Sequence, residues 1–278
     1  MTDSSNPAAY FGRQVRKSRQ AHGWSLAEFG QRIGYDAGAI SRVENGRRPP
    51  TETFARVCDQ AIPERDGWFS EFFSESRGWL ATPSWFRSWA PHEQGATALR
   101  IWTPMIVHGL LQTEDYARAL IVAARTTDAV VAERTAARME RQRTVLLRDE
   151  PPSAWFLADA AALRRRVGSS DIMAAQLRHL AGLARLPHVT IQVVPEIEHA
   201  GLSGGGFVVA GTLAAYSESS VSGHVFEDDE TASALLARFD NIRSEALRAS
   251  DTLALLDRWA DSWTGGNPPI QAVTGETA

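Results

Sequence analysis

The sequence predicts an all-α bundle of short helices at the N-terminus, followed by a larger α+β domain with a mainly antiparallel sheet. Three observations carry this. Residues 10–78 read as helical segments of about ten residues punctuated by Gly and Pro. Beyond Gly78, alternating and β-branched runs appear, of which Val189-Thr-Ile-Gln-Val-Val194, closed by Pro195, is the strongest. Charge also changes: residues 11–50 carry eight Arg/Lys against three Asp/Glu, whereas residues 51–278 carry 21 against 29.

The 278 residues suffice for two domains, and 44% hydrophobic with 22% charged residues is a globular composition. Residues 1–9 read as a flexible tail, 10–78 as the first domain, 79–264 as the second and 265–278 as a disordered tail. In the first domain, a helix carrying Arg13, Val15, Arg16 and Arg19 stops at His22-Gly23. Ser25, with Glu28 three residues on, forms a capping box that opens a second helix over about 26–33, ended by Gly34. Asp36 caps a third over about 37–45, ended by Gly46. Pro49-Pro50 forces an extended link, Thr51 opens a fourth helix to about Gln60, and a fifth spans about 65–76.

In the second domain, a strand is expected within Ala98–Val107 and a helix capped by Thr113, with Glu114 and Asp115 where the helix dipole favours acids. A longer helix is expected over 130–148, its arginines alternating with Glu133 and Glu140 as on an exposed, ion-paired surface. A strand over Ala154–Ala158, a helix over Ile172–Arg185 and the strand Val189–Val194 follow. Phe207–Ala210 and Leu213–Tyr216 flank Gly211-Thr212 as a hairpin, with a further strand near Val221–Phe226. Helices return from Glu230 to about Trp263.

Two helices joined by a tight Gly-containing turn make a helix-turn-helix, and Ser25 to Gly46 fits that geometry. Phe29, Ile33, Ile40 and Val43 are spaced to meet between the two helices, with Gly30 small where they cross. Ser41, Arg42 and Asn45 then face outward. With the local basic surplus, this points to double-stranded DNA as the partner.

Ser25, Phe29-Gly30, Gly34, Ile40-Ser41, Glu44 and Gly46 resemble the phage-repressor-like, xenobiotic-response-element type of helix-turn-helix. Leu26 departs from it, since that family often has a phosphate-binding Gln there. The resemblance implies that Ala37, Gly38 and Arg42 face base edges, that Asn45 contacts phosphate, and that Arg19 and Glu44 form an internal ion pair. Ala37 and Gly38 carry no hydrogen-bonding side chain, so Arg42 is the candidate base reader. The DNA-contacting set is Ser25, Ala37, Gly38, Ser41, Arg42, Asn45, Arg47 and Arg48, with Arg47 and Arg48 on phosphates.

The second domain carries Gly109-Leu-Leu-Gln-Thr-Glu-Asp-Tyr-Ala-Arg118, Arg138-Met-Glu-Arg-Gln142, Gln176-Leu177, Ile191-Gln-Val-Val-Pro195 and Glu245-Ala-Leu247, with Glu93 and Ala96 ahead of them. Together these resemble the C-terminal domain of antitoxin-like transcriptional regulators common in actinobacteria. His108 stands where that family has Pro, and Asp159 where it has Glu. The resemblance implies a regulator encoded near a small partner protein. The second domain is accordingly expected to form a homodimer and to receive a partner protein or a small-molecule ligand. The alternative is an antitoxin-like protein that sequesters its partner and binds DNA for autoregulation.

Other signals argue against enzymatic chemistry. Gly201-Leu-Ser-Gly-Gly205 matches G-x-S-x-G, but a Pro/Glu/His loop precedes it and a strand follows, the reverse of a nucleophile elbow. The seven histidines show no metal-ligand spacing. Arg164-Arg165-Arg166 reads as a solvated face, and Trp102, Tyr116 and Trp155 read as core. Cys58, the single cysteine, reads as a buried structural thiol. No cofactor or metal is expected. No apolar run reaches the ~18 residues of a membrane span, and the expected setting is soluble and cytoplasmic.

Overall fold

A computed structural model describes residues 7–76, 84–212, 214–218, 223–265 and 269. The chain divides into two units, Met1–Pro83 and Ser84–Ala278. The expected boundary at 78/79, residues 1–6 of the expected N-terminal tail, and nearly all of the expected C-terminal tail lie outside the described residues.

The first unit contains α1 (Pro7–Ala21), α2 (Leu26–Ile33), α3 (Ala37–Glu44), α4 (Glu52–Ala61), a 3-10 turn (Pro63–Arg65) and α5 (Trp68–Glu75). Residues 7–9, expected in the tail, begin α1 instead, because Ala8 is buried one turn ahead of Phe11 and two turns ahead of Val15. Phe11, Val15, Phe29, Ile33, Ile40, Val43, Phe54, Cys58 and Phe69 form one apolar cluster. The Cys58 thiol lies inside it, and burial pushes its pKa well above the ordinary thiol range.

The second unit runs α6 (Ser84–Gly95), β1 (Ala98–Thr103), a 3-10 turn (Gly109–Leu111), α7 (Glu114–Ala123), α8 (Asp128–Leu146), β2 (Ser153–Asp159), α9 (Ala160–Arg164), α10 (Ser170–Leu183), β3 (Val189–Val194), a 3-10 turn (Ala200–Ser203), β4 (Phe207–Ala210), β5 (Ala214–Glu218), β6 (Gly223–Phe226), α11 (Asp229–Ser244) and α12 (Ala249–Thr264). Leu213, Val221 and Ser222, expected in strands, lie outside the described residues. β1 stops at Thr103 rather than Val107, because Pro104 supplies no backbone N–H to continue a ladder. The short α9 ends at Arg164, the first of the three arginines read as a solvated face; the Asp159 carboxylate caps it by accepting from the Ala161 N–H.

The six strands lie in the order β3-β2-β1-β4-β5-β6. β1 to β6 pair antiparallel through β4 and β5, as expected for a mainly antiparallel sheet. The other half differs: β1 with β2 and β2 with β3 are parallel, so the sheet is mixed. The cause is the connections. β1 reaches β2 through α7 and α8, and β2 reaches β3 through α9 and α10, and a strand-helix-strand crossover aligns its two strands. Period-two alternation then sends Trp102, Leu157, Val194, Phe207, Val209 and Ala215 to a layer with Phe239 and Ile242 of α11. Leu99, Ile101, Phe156, Val189, Ile191 and Val193 face the opposite way, into a larger core with Trp89, Leu177, Leu256, Trp259 and Trp263. Helices therefore cover both faces of the sheet.

The expectation that the surface of α8 is exposed and ion-paired is only half met. Arg143 and Glu140 pair at 2.6 Å on the surface. Arg141 instead turns inward to Glu93, a fully buried carboxylate, with both contacts at 2.6 Å. Arg138 donates to Gln112 Oε1 at 2.7 Å, and burial beside Arg141 pulls its guanidinium down to about 10. Gln142 donates to the carbonyls of Gly109 and Gln112, and Gln176 to that of Leu111. Several polar motif residues of the second unit thus turn inward, as the pair Glu93–Arg141 and the groups around Gln112 and Gln176. His108 is buried near Arg138 and Arg141: its Nδ1 accepts from the Leu110 N–H and starts the 3-10 turn where the resembled family has Pro.

Candidate nucleic-acid interface

The second helix of the helix-turn-helix is held in place by residues that are polar by necessity. Ser25 Oγ accepts from the Glu28 N–H at 3.2 Å while Glu28 accepts from the Ser25 N–H at 2.7 Å, closing the capping box of α2. Gly34 ends α2 at φ 74°, a left-handed conformation that a Cβ would penalise. Asp36 then caps α3 through the Ala39 N–H at 2.8 Å. Gly30 is required by the turn: a Cβ there would sit 2.4 Å from the Tyr35 carbonyl oxygen.

α3 turns Ala39, Ile40 and Val43 into the core, leaving Gly38, Arg42 and Asn45 exposed and Ala37 and Ser41 half-buried. This is one stripe of a 3.6-residue helix. The Arg42 guanidinium lies back over Gly38, with Nη1 3.4 Å from where a Gly38 Cβ would be. Any larger residue at 38 therefore restricts where Arg42 reaches. Arg47 and Arg48 follow, both exposed, with their backbone N–H groups donating to the Arg42 carbonyl at 2.8 and 3.1 Å. Ser25 is exposed at the start of α2.

Asn45 is already engaged. Its Nδ2 donates to the Ser41 carbonyl at 2.7 Å, and its Oδ1 accepts from Arg16 Nη2 at 2.7 Å. Arg16 also donates to Glu44 at 3.3 Å. Arg19 grips the Glu44 carboxylate through both oxygens, at 2.6 and 3.0 Å, and donates to the Trp24 carbonyl. The expected pair between α1 and α3 is thus present, and the Glu44 hydrogen bond raises the Arg19 pKa. One buried carboxylate is matched by these arginines, which leaves Arg42, Arg47 and Arg48 as the cationic surplus beside the stripe.

Two supports were missed in the sequence. Gly12 lies where α1 crosses α3, and a Cβ there would fall 2.1 Å from the Val43 carbonyl oxygen. Arg16 bridges Glu44 and Asn45, although a charged helix residue reads as a solvated face. The signal for Gly12 was a small residue on the apolar face between Phe11 and Val15.

In the second unit, the Gly201–Gly205 loop has different chemistry from a hydrolase elbow. His199 Nε2 faces Asp159 Oδ2 at 3.4 Å, but its Nδ1 accepts from the Gly201 N–H at 3.0 Å. Nε2 makes no hydrogen bond, and Ser203 Oγ is held by Arg238, from which it accepts at 2.9 Å. These contacts pin the loop. Of Arg164, Arg165 and Arg166, Arg164 pairs with Glu196 and Arg165 donates to the Met105 carbonyl. Trp102 and Tyr116 are fully buried and Trp155 is half-buried. Among the described residues, no three His, Cys, Asp or Glu side chains group as metal ligands, and no helix is long and apolar enough to cross a membrane.

The first unit is thus a helix-turn-helix of the kind that binds DNA. Residues 11–62 match the family model described as a helix-turn-helix domain. Residues 86–258, more than half of the chain, match the model described as a domain of unknown function, DUF5753, and the chain belongs to that family. No curated protein and no solved structure matches the chain.

Proposed function

We propose that this protein is a sequence-specific transcriptional regulator of the xenobiotic-response-element type whose second unit dimerises and receives a signal. The observation that carries it is the stripe Gly38–Arg42–Asn45 with Ala37 and Ser41, presented on a helix whose other side is locked into the core. Arg42 reads a guanine through O6 and N7, a contact worth about 1–3 kcal/mol of discrimination. Arg47 and Arg48 lie on phosphates, and Ser25 and Asn45 lie close enough to position the backbone.

One strong base-reading side chain gives little specificity, so two copies are needed, spanning half-sites about 34 Å apart. The first unit uses its aromatic residues for its own core: Phe11, Phe29, Phe54, Phe69 and Phe73 are buried in it, and Trp24, Tyr35, Trp68 and Phe72 pack against it. The second unit therefore makes the dimer, and it takes the small-molecule ligand or the small protein partner that the resemblance to antitoxin-like regulators implies. No enzymatic step is assigned to it.

Cutting the chain between Ser76 and Ser84 tests this division, with light scattering and gel shift on both fragments. The first unit alone should be monomeric and should lose operator affinity steeply, while the second stays dimeric. A first unit that dimerises and binds as tightly as the whole chain refutes the division. A second unit that captures a partner, in a protein whose DNA affinity is unaffected by that partner, favours sequestration over regulation.

A further inference from the structure

On the α11 side of the sheet, β1 and β2 place Arg100 directly beside Trp155 in register. The Arg100 guanidinium carbon lies 4.5 Å from the Trp155 ring centroid, and that of Arg243, near the end of α11, lies 5.2 Å from the same ring. Two cations therefore share one indole. Hydrogen bonds do little to neutralise them: among the described residues, the Arg100 guanidinium donates only to the neighbouring Leu99 carbonyl, at 3.4 Å, and the Arg243 guanidinium has no hydrogen-bond or ion-pair partner. Trp155 Nε1 is itself buried without an acceptor.

The electrostatics agree with the geometry. Burial lowers the Arg100 pKa most, Asp240 opposes this, and the Arg243 charge adds to the lowering. Asp240, the acid that acts on Arg100, is exposed. Two guanidiniums and an indole N–H are all donors, and one solvated carboxylate does not satisfy them. Holding like charges together costs energy that an acceptor-only ligand recovers, and a guanidinium fork fits a planar or tetrahedral oxyanion with two parallel hydrogen bonds.

We propose that Arg100, Arg243 and Trp155 form a binding site for the oxyanion of a small molecule, a carboxylate or a phosphate, on the second unit. This deepens the signal-receiving role proposed above, and binding can be tested without DNA, so it can fail independently of that role.

The test uses the full chain labelled with nitrogen-15. Its nine tryptophans give nine indole N–H signals, and Trp155→Phe assigns the one that matters. Inorganic phosphate and citrate are titrated separately, with sodium chloride at matched ionic strength as the control for screening. A saturable shift of the Trp155 signal is expected with phosphate or citrate and not with chloride; which of the two acts separates a phosphate from a carboxylate ligand. Arg243→Ala lies on an exposed helical position, so the other eight signals should hold, while the apparent Kd rises at least about tenfold. Arg100→Lys, which keeps the charge and loses the fork, should weaken binding as well. A Trp155 signal that moves with neither probe, that moves equally with chloride, or that saturates identically in Arg243→Ala overturns the proposal. So does a signal that moves only with duplex DNA.

Discussion

The two units use their polar motif residues in opposite ways. In the first, Arg19 and Glu44 hold α1 against α3, and Arg42, Arg47 and Arg48 stay exposed at the surface. In the second, Glu93, Gln112, Arg138, Arg141, Gln142 and Gln176 turn inward and bond to one another and to loop carbonyls. A motif of the first kind announces a contact with something outside the chain. A motif of the second kind announces a fold, and it says little about chemistry, in keeping with a family whose function its description leaves open.

The largest effect that sharpens this contrast lies in the Glu93–Arg141 pair. Glu93→Ala removes the counter-charge of Arg141, and breaking such a pair costs about 3 kcal/mol, the low end of the range because Arg141 retains 21% exposure. Thermal unfolding should show this as a loss of roughly 10 °C in the transition of the second unit. The α3 amide signals should be unchanged. A Glu93→Ala protein as stable as wild type would mean that the pair is ornamental to the fold.

The next effect lies on the surface of the first unit. Arg42→Ala should leave unfolding unchanged and cost about 1–3 kcal/mol in DNA affinity, concentrated at one base pair of each half-site. Replacing Arg47 and Arg48 together with Ala should weaken all sequences alike and flatten the slope of log K against log salt by about two. An unchanged slope would show that these two arginines face only solvent.

The smallest effect is a pH dependence of the second unit. Burial, reinforced by Arg141 and Arg138, lowers the His108 pKa well below 6.5, and burial also lowers that of His179. The unfolded chain then binds protons that the folded chain does not. Their contribution to stability is present above about pH 6.5 and is lost as pH falls below it. Denaturant melts at pH 7.5 and 5.5 should show this loss, and His108→Gln should reduce it. A His108→Gln protein with the wild-type pH dependence would assign the loss to other groups.

How legible these regions were follows from where their determinants lie along the chain. Ser25, Glu28, Gly34 and Asp36 act within three or four residues of themselves, so α2 and α3 could be placed from the sequence. Val189–Val194 was equally clear, because alternation and Pro195 are local. Parallel pairing of β1, β2 and β3 was not, since it depends on crossovers of about fifty and thirty residues. The inward turn of Arg138 and Arg141 was hidden for the same reason: Glu93 is 48 residues from Arg141, and Gln112 is 26 from Arg138. On their own helix, these arginines look like any solvated charge. Gly12 was missed because its partner, the Val43 carbonyl, belongs to the backbone of another helix.

The central claim is that the exposed stripe of α3 selects a DNA sequence. The direct measurement is selection of binding sites by the full chain from a randomised duplex library, repeated with Arg42→Ala. The account predicts an enriched site made of two half-sites about one helical turn apart, with a guanine in each that loses its enrichment in Arg42→Ala. Failure to enrich any sequence, or an identical enriched site from both proteins, would contradict it.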